Sequence, residues 1–410
     1  MKNFLTSLFI LSVGIIFFGA CSENNSEDPS IVKGKIQLKA GWEQKVVQDN
    51  DFAFDLFKTT CKFENESNVF VSPLSVSMCL SMVLNGANGE TRAEMEKALH
   101  VAGFSPDDIN DYCKTLREAL IKVDPSTEMA IANSIWSRLG FPVKSDFLQV
   151  NKLNFNAEIK EADFNDPNTL KQINGWCAKN TNNKITEIID YIPGDAVMYL
   201  INAIYFKGIW CSKFKESNTS DRNFYTEKGV KQVKMMSQKS EFNYASDENA
   251  DYLELPYGNK SFSMITMLPR EGKTVDDVIL NLNQDSWSAA LENMYSVEVN
   301  LQLPRFKTEC KYMLHEEILP SMGMELPFGP GADFSGISDV SVFISRVIHK
   351  TYLEVNEKGT EAAAVTAVEM KESSAGLGPR NYIVDKPFVL AIYEKSTGVI
   401  LFIGKIGNPE

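Results

Sequence analysis

Histidine is scarce in this chain of 410 residues, with only His100, His315 and His349 present. His315-Glu316-Glu317 lacks the second histidine of a zinc-protease helix, and no G-x-S-x-G, P-loop or dinucleotide fingerprint occurs anywhere. The sequence therefore assembles no catalytic constellation, and neither a metal nor a cofactor is expected. The 7 cysteines include no C-x-x-C pair and none with a nearby histidine, which excludes the usual zinc frameworks. Cys61, Cys79, Cys113, Cys177, Cys211 and Cys310 read as buried or half-buried thiols, with no disulfide indicated. Basic charge is also short: 41 Lys and Arg against 54 Asp and Glu give a net charge of -13, with no basic stripe to neutralise phosphates, so nucleic acid is excluded as a partner. Internal repeats, low-complexity tracts and Pro/Ser-rich linkers are missing after about residue 35, which favours one continuous domain.

What is present is an ordinary globular composition, 44% hydrophobic and 23% charged, ample for a core. Near the N-terminus an apolar run, Phe4 to Phe18, follows Met1 and Lys2 and has the layout of a secretory signal rather than of a membrane span. It ends in Phe18-Gly19-Ala20-Cys21, which resembles a bacterial lipobox with Cys21 as the acylated first residue; the alternative is a plain signal cleaved elsewhere. Ser22 to Ser30, SENNSEDPS, reads as a flexible tether. The expected organisation is a signal over 1–20, a polar tether over 21–44 and a folded part over 45–410. Lipid on Cys21 would hold an exported protein at the bacterial cell envelope, facing the periplasm or exterior, with no other attachment to the membrane.

Hydrophobic periodicity predicts a helix over Asp51 to Lys62. In Asn68 to Thr91, Ser72-Pro73 opens a helix that is apolar nearly all round and therefore buried, Gly86 stops it, and Thr91 with Glu94 predicts a capping box for the next helix. Pro106 to Lys122 reads as an amphipathic helix, Met129 to Ser137 as a strand, Val143 to Phe155 as mostly helix, and Leu170 to Ile189 as a helix that fails at Asn180 to Asn183. Val197 to Phe214 is a continuous apolar run of strand length, as expected when both faces are covered. Short strands follow from Asn223 to Leu268, short helices in Thr274 to Asn293, a strand pair around Pro304 in Val297 to Phe306, and a helix over Met313 to Met322. Val342 to Val355 reads as one long strand, and Phe388 to Gly404 as a hairpin turning near Ser396 to Gly398. Strands and helices mix without strict alternation, which argues for an α+β fold.

The stretch Leu353 to Phe388 admits two readings. Helix propensity makes Glu361 to Lys371 a short surface helix. A period of two instead sorts Thr360, Ala362, Ala364, Thr366, Val368 and Met370 onto one face and Glu361, Ala363, Val365, Ala367, Glu369 and Lys371 onto the other. Every charge then falls on the second face, as required of a segment that must slip between packed strands, with Gly359 as its pivot.

Val355 to Val368, VNEKGTEAAAVTAV, resembles the hinge of the reactive-centre loop of inhibitory serpins, and Asn68 to Thr91 and Val197 to Phe214 resemble the same family. The resemblance covers roughly residues 45 to 409. It implies three β-sheets, about nine helices and an exposed loop, and a protein that is not an enzyme but a monomeric suicide inhibitor. The partner would be a serine endopeptidase, with cysteine proteases also open as targets, trapped as an acyl-enzyme when the cleaved loop inserts into the main sheet. The alternative is a non-inhibitory binding or scaffold protein of the same fold at the cell surface. The family pattern implies a hinge at Glu357, Gly359, Thr360, Glu361, Ala362, Ala363, Ala364, Val365 and Thr366. Beneath the centre of the main sheet it implies a cluster of Ser72, Ser75, Asn202 and His349, and at the top Trp210 beside a pair of Arg305 and Glu357. Counting forward from Gly359 puts the scissile bond at Ser373-Ser374, and counting back from Lys386-Pro387-Phe388 gives Gly376. Met370, Lys371 and Glu372 are further candidate cut sites for proteases of other specificities.

Overall fold

The computed structural model describes residues 31–32, 34–360 and 379–409. Among these, nine α-helices surround a six-stranded and a nine-stranded sheet, with a further two-stranded hairpin at Ile31–Ile36. The fold is α+β, as the irregular order of strands and helices indicates.

The six-stranded main sheet runs in the spatial order Phe306–Met313, Ile348–Asn356, Gly359–Thr360, Met198–Ile209, Glu128–Arg138, Glu158–Ala162. Met198–Ile209 and Glu128–Arg138 pair antiparallel along their length, with Asn202 opposite Asn133. The helix Pro167–Asn180 lies across the front, burying Ile173, Trp176 and Cys177 against Trp136, Ile201 and Ala203. Behind the sheet sits the helix Pro73–Leu84, whose Ser72 side chain accepts a hydrogen bond from the Ser75 N–H at 3.3 Å and whose Pro73 presets the first turn. Cover on both faces is why the sequence between Val197 and Phe214 runs apolar without alternation.

Several elements depart from the sequence pattern for identifiable reasons. The first long helix spans Trp42–Phe63, beginning well before Asp51, because Trp42 and Val46 join the buried face. The helix after Gly86 is Gly89–Ala98 with Asn88 at its cap, so Thr91 and Glu94 form no capping box. Their side chains are used at long range instead: Thr91 Oγ1 accepts from the Asp333 N–H, and Glu94 accepts from those of Glu325 and Leu326. Tyr295–Pro304 and Phe306–Met313 are not a pair, since the first belongs to the nine-stranded sheet and the second to the main sheet. Pro304 ends one ladder, and the chain crosses to the other at Arg305. The helix expected over Met313 to Met322 shrinks to Ile318–Ser321, and the long strand before the hinge begins only at Ile348. The helix expected to fail near Asn180 ends there, with Asn182 and Asn183 at positive φ. Phe388–Glu394 and Ile400–Ile406 pair as the expected hairpin.

Candidate functional site

The site is the seam of the main sheet between Met198–Ile209 and Ile348–Asn356. At its top Gly359–Thr360 pairs with both neighbours: Thr360 lies opposite Val355 on one side and Gly208 on the other, and Gly359 opposite Asn356 and Ile209. Below this two-residue strand no pairing joins the two long strands among the described residues. Gly359 has φ +151°, and a Cβ there would stand 2.0 Å from the Gly208 carbonyl oxygen. Only glycine fits a backbone so close to its neighbour in that conformation.

Around the hinge the polar groups converge. Glu357 is buried, and its Oε1 accepts from the half-exposed Arg305 guanidinium and, at 2.7 Å, from the Thr219 hydroxyl. Burial alone would push the Glu357 carboxyl up, but the hydrogen bonds from Arg305 and Thr219 outweigh it and hold the group below the usual carboxylate range. Trp210 Nε1 donates to the Asn356 carbonyl at 2.9 Å, and its backbone N–H donates to the Lys358 carbonyl at 3.0 Å. The Trp210 ring stacks on Tyr257 at 4.4 Å, and the Tyr257 hydroxyl lies 2.6 Å from Thr360 Oγ1, so Thr360 is only 2% exposed. Trp210, Arg305 and Glu357 are thus grouped around the hinge. Thr219, Tyr257 and Gly208 were not among the expected residues, because no spacing in the sequence links them to the hinge.

Beneath the centre, His349 Nε2 accepts the Ser72 N–H at 2.9 Å, so its proton resides on Nδ1. Complete burial lowers its pKa to about 3, which keeps the imidazole neutral. The Ser72 hydroxyl donates to the Leu401 carbonyl at 2.7 Å. Ser75 and Asn202 bond to each other at 2.5 Å, and Asn202 Nδ2 donates to Asn133 Oδ1 at 2.8 Å. Ser72 therefore meets His349 directly, whereas among the described residues Asn202 makes no hydrogen bond to it. The cause is the seam itself: the two stand on strands held apart at the top by Gly359–Thr360, and both line one cavity of about 60 Å³ with Ser75. Asn133 was not foreseen, although a buried Asn on the paired strand is what Asn202 needs.

The other histidines have structural explanations. His100 Nε2 lies 2.8 Å from Asp55, whose hydrogen bond raises its pKa, and His315 Nδ1 accepts from the Val347 N–H while burial lowers its own. The six cysteines at Cys61 and beyond are free thiols, with Cys113, Cys177 and Cys310 buried. Among the described residues no group of His, Cys, Asp and Glu could hold a metal, and no helix is long and apolar enough to cross a membrane. Cys21, the hinge positions Glu361, Ala362, Ala363, Ala364, Val365 and Thr366, and the candidate cut sites Met370, Lys371, Glu372, Ser373, Ser374 and Gly376 lie outside the described residues.

Residues 47–409 match the model of the family described as serpin (serine protease inhibitor). Over 383 residues the chain is 36% identical to a serpin-like protein of Thermococcus kodakarensis, covering 91% of this chain and 88% of that one. It is 35% identical to the leukocyte elastase inhibitor of Bos taurus, covering 90% of this chain and all of the inhibitor. Among solved structures, the thermophilic serpin tengpin in its native state superposes with a TM-score of 0.82 at 32% identity, over 92% of this chain and 96% of tengpin.

Proposed function

The chain belongs to the serpin family, whose members are protease inhibitors rather than enzymes, and we propose that it is an inhibitor of the trapping kind, directed at a serine endopeptidase. The target's nucleophile attacks the scissile carbonyl of the loop, and an acyl-enzyme forms. The freed strand then enters the seam and carries the esterified protease with it. The acyl-enzyme is held because distortion of the protease active site removes oxyanion stabilisation. Loss of one oxyanion donor alone slows such chemistry by roughly a hundredfold or more.

One observation carries this reading: Gly359–Thr360 already pairs with both strands at the top of the seam, in an antiparallel register that the following residues can continue. Insertion would therefore start at Glu361, two residues beyond the expected pivot at Gly359. Continued downward, that register would set Thr366 opposite both His349 and Asn202, with Ala362 and Ala364 also on the core side. Small side chains there keep entry fast enough to compete with deacylation. About a dozen new hydrogen bonds at roughly 0.5 to 1.5 kcal/mol each give on the order of 10 kcal/mol, comparable with the whole stability of many domains. We assign the scissile bond to Ser373-Ser374, set by insertion length from the hinge, and infer export with a lipid on Cys21 and a monomeric state.

The test is a charge at the entrance. Thr360→Arg would lose the Tyr257 contact and bury a guanidinium beside Gly208, so the loop should be cut and released with no stable covalent product. On a denaturing gel the parent should give a protease-linked band and the variant only cleaved chain. Equal bands from both would overturn the reading.

A further inference from the structure

The ladder that fixes the strand Ile348–Asn356 ends at its foot in a side-chain hydrogen bond. Its pairing with Phe306–Met313 stops at Met313 opposite Ile348. One step further the Leu314 N–H donates to the Val347 carbonyl at 2.9 Å, and the returning bond, from the Val347 N–H at 3.2 Å, goes to His315 Nδ1 and not to a main-chain carbonyl. Because Nδ1 accepts, the ring proton is on Nε2. The imidazole is half-buried and stands edge-on to the Phe328 ring at 6.3 Å. The same turn receives the Ile344 N–H on the Pro327 carbonyl at 2.9 Å, so His315 and the lead-in to the strand share one support.

What this bond restrains is one wall of the seam's foot. Residues 341–347 line a cavity of about 250 Å³ together with the start of Met198–Ile209 and with Leu80 and Val83 of the helix Pro73–Leu84. A void among apolar side chains forfeits packing contacts, so the wall depends the more on its hydrogen bonds. Protonating Nδ1 would set an N–H against the Val347 N–H, and a donor facing a donor makes no bond. The Val347 N–H would then have to reach water, which means leaving its place. Burial lowers the His315 pKa, Glu316 beside it raises it and Arg346 on the facing segment lowers it, with a net fall. A proton is thus bound more weakly by the held arrangement than by the released one. The restraint is complete above the ordinary value of 6.5 and is lost as pH falls through the folded value.

We propose that His315 is an acid-sensitive catch at the foot of the seam: its neutral imidazole pins Val347, and its imidazolium releases residues 341–347 so that the seam widens from below. The catch itself stands on the hydrogen bond to Val347. Its consequence for inhibition rests on the insertion reading above: a seam widened in acid admits the uncut loop, and the protein loses inhibitory capacity before it meets a protease. The catch is separate from His349, whose imidazole stays neutral down to about pH 3.

Amide hydrogen exchange tests the catch, read by mass spectrometry with fragmentation to single residues and divided by the intrinsic rate at each pH. In the parent, protection of Val347 should fall about tenfold between pH 7 and pH 5, while Leu353 farther up the same strand keeps its own. His315→Asn, whose Oδ1 stands where Nδ1 did and takes up no proton, should hold Val347 at both pH values, and His315→Leu should leave it weakly protected at both. Protection of Val347 that ignores pH in the parent, or falls equally in His315→Asn, overturns the catch. So does a parallel fall at Leu353, which would mark a general loosening. For the consequence, parent and His315→Asn are held at pH 5, returned to pH 7 and titrated against a protease for covalent complex. The parent should lose capacity several times faster, and equal losses overturn the link to the seam whatever the exchange shows. A parent that forms no complex before acid treatment removes the insertion reading and leaves the exchange result to decide the catch.

Discussion

Gly359 and its neighbours make the hinge legible at the level of single residues. The close approach of Gly208 leaves no room for a side chain, and φ +151° is a conformation that alanine adopts only under strain. Gly359→Ala should therefore expel the two-residue strand from the sheet top, at a cost of roughly 1 to 3 kcal/mol. The intact protein should melt lower, and more loops should be cut per covalent complex formed, as titration against a fixed amount of protease would count them. Unchanged melting and stoichiometry would mean that the hinge does not need its place between Val355 and Gly208. Glu357 and Arg305 could be named from the sequence because their types and positions follow a pattern. Tyr257 could not, since its role comes from stacking on Trp210 and from a hydroxyl aimed at Thr360, both consequences of folding.

The helix Pro73–Leu84 and the strand Ile348–Asn356 are joined by the hydrogen bond from the Ser72 N–H to His349. In the unfolded chain this imidazole takes up a proton near pH 6.5, whereas in the folded protein it resists protonation down to about pH 3. Between those values the unfolded state binds more protons, so stability falls as pH drops, by about 1.4 kcal/mol per pH unit from this group. Its contribution is complete above pH 6.5 and is lost progressively on acidification. His349→Gln should be less stable at pH 7 yet lose less between pH 7 and pH 4, as urea midpoints at each pH would reveal. Parallel losses in parent and variant would refute the assignment. Elements were well anticipated where local chemistry decides them, as with Ser72-Pro73 at a helix start. They were missed where distant partners decide. Thr91 and Glu94 carry the letters of a capping box, but the backbone of Glu325 to Asp333 claims both side chains. Pro304 looked like the middle of a strand pair, whereas the two runs it separates are drawn into different sheets.

For the whole molecule, the family was readable because its motifs are long and supply the hinge, one strand beside the seam and the helix behind it, and the α+β class followed from the irregular order of elements. The gap in the register was not readable, because strand pairing between residues some 150 positions apart leaves no local trace. Export and anchoring remain an inference from the first residues alone, and they make a clean prediction: Cys21→Ser should move the protein from the membrane fraction to the soluble fraction while leaving its inhibitory complex intact. Fractionation of producing cells followed by immunoblotting would decide the matter, and equal partition of both forms would argue against a lipid on Cys21.

The crossing at Arg305 ties these scales together. One residue is all that separates the last position of a strand in the nine-stranded sheet from the first position of a strand in the main sheet, and that residue holds the carboxylate at the root of the loop. A tug on the loop is thus transmitted to both halves of the body at once, so a protease bound at the far end would sense the rigidity of the entire protein rather than of a tethered bait.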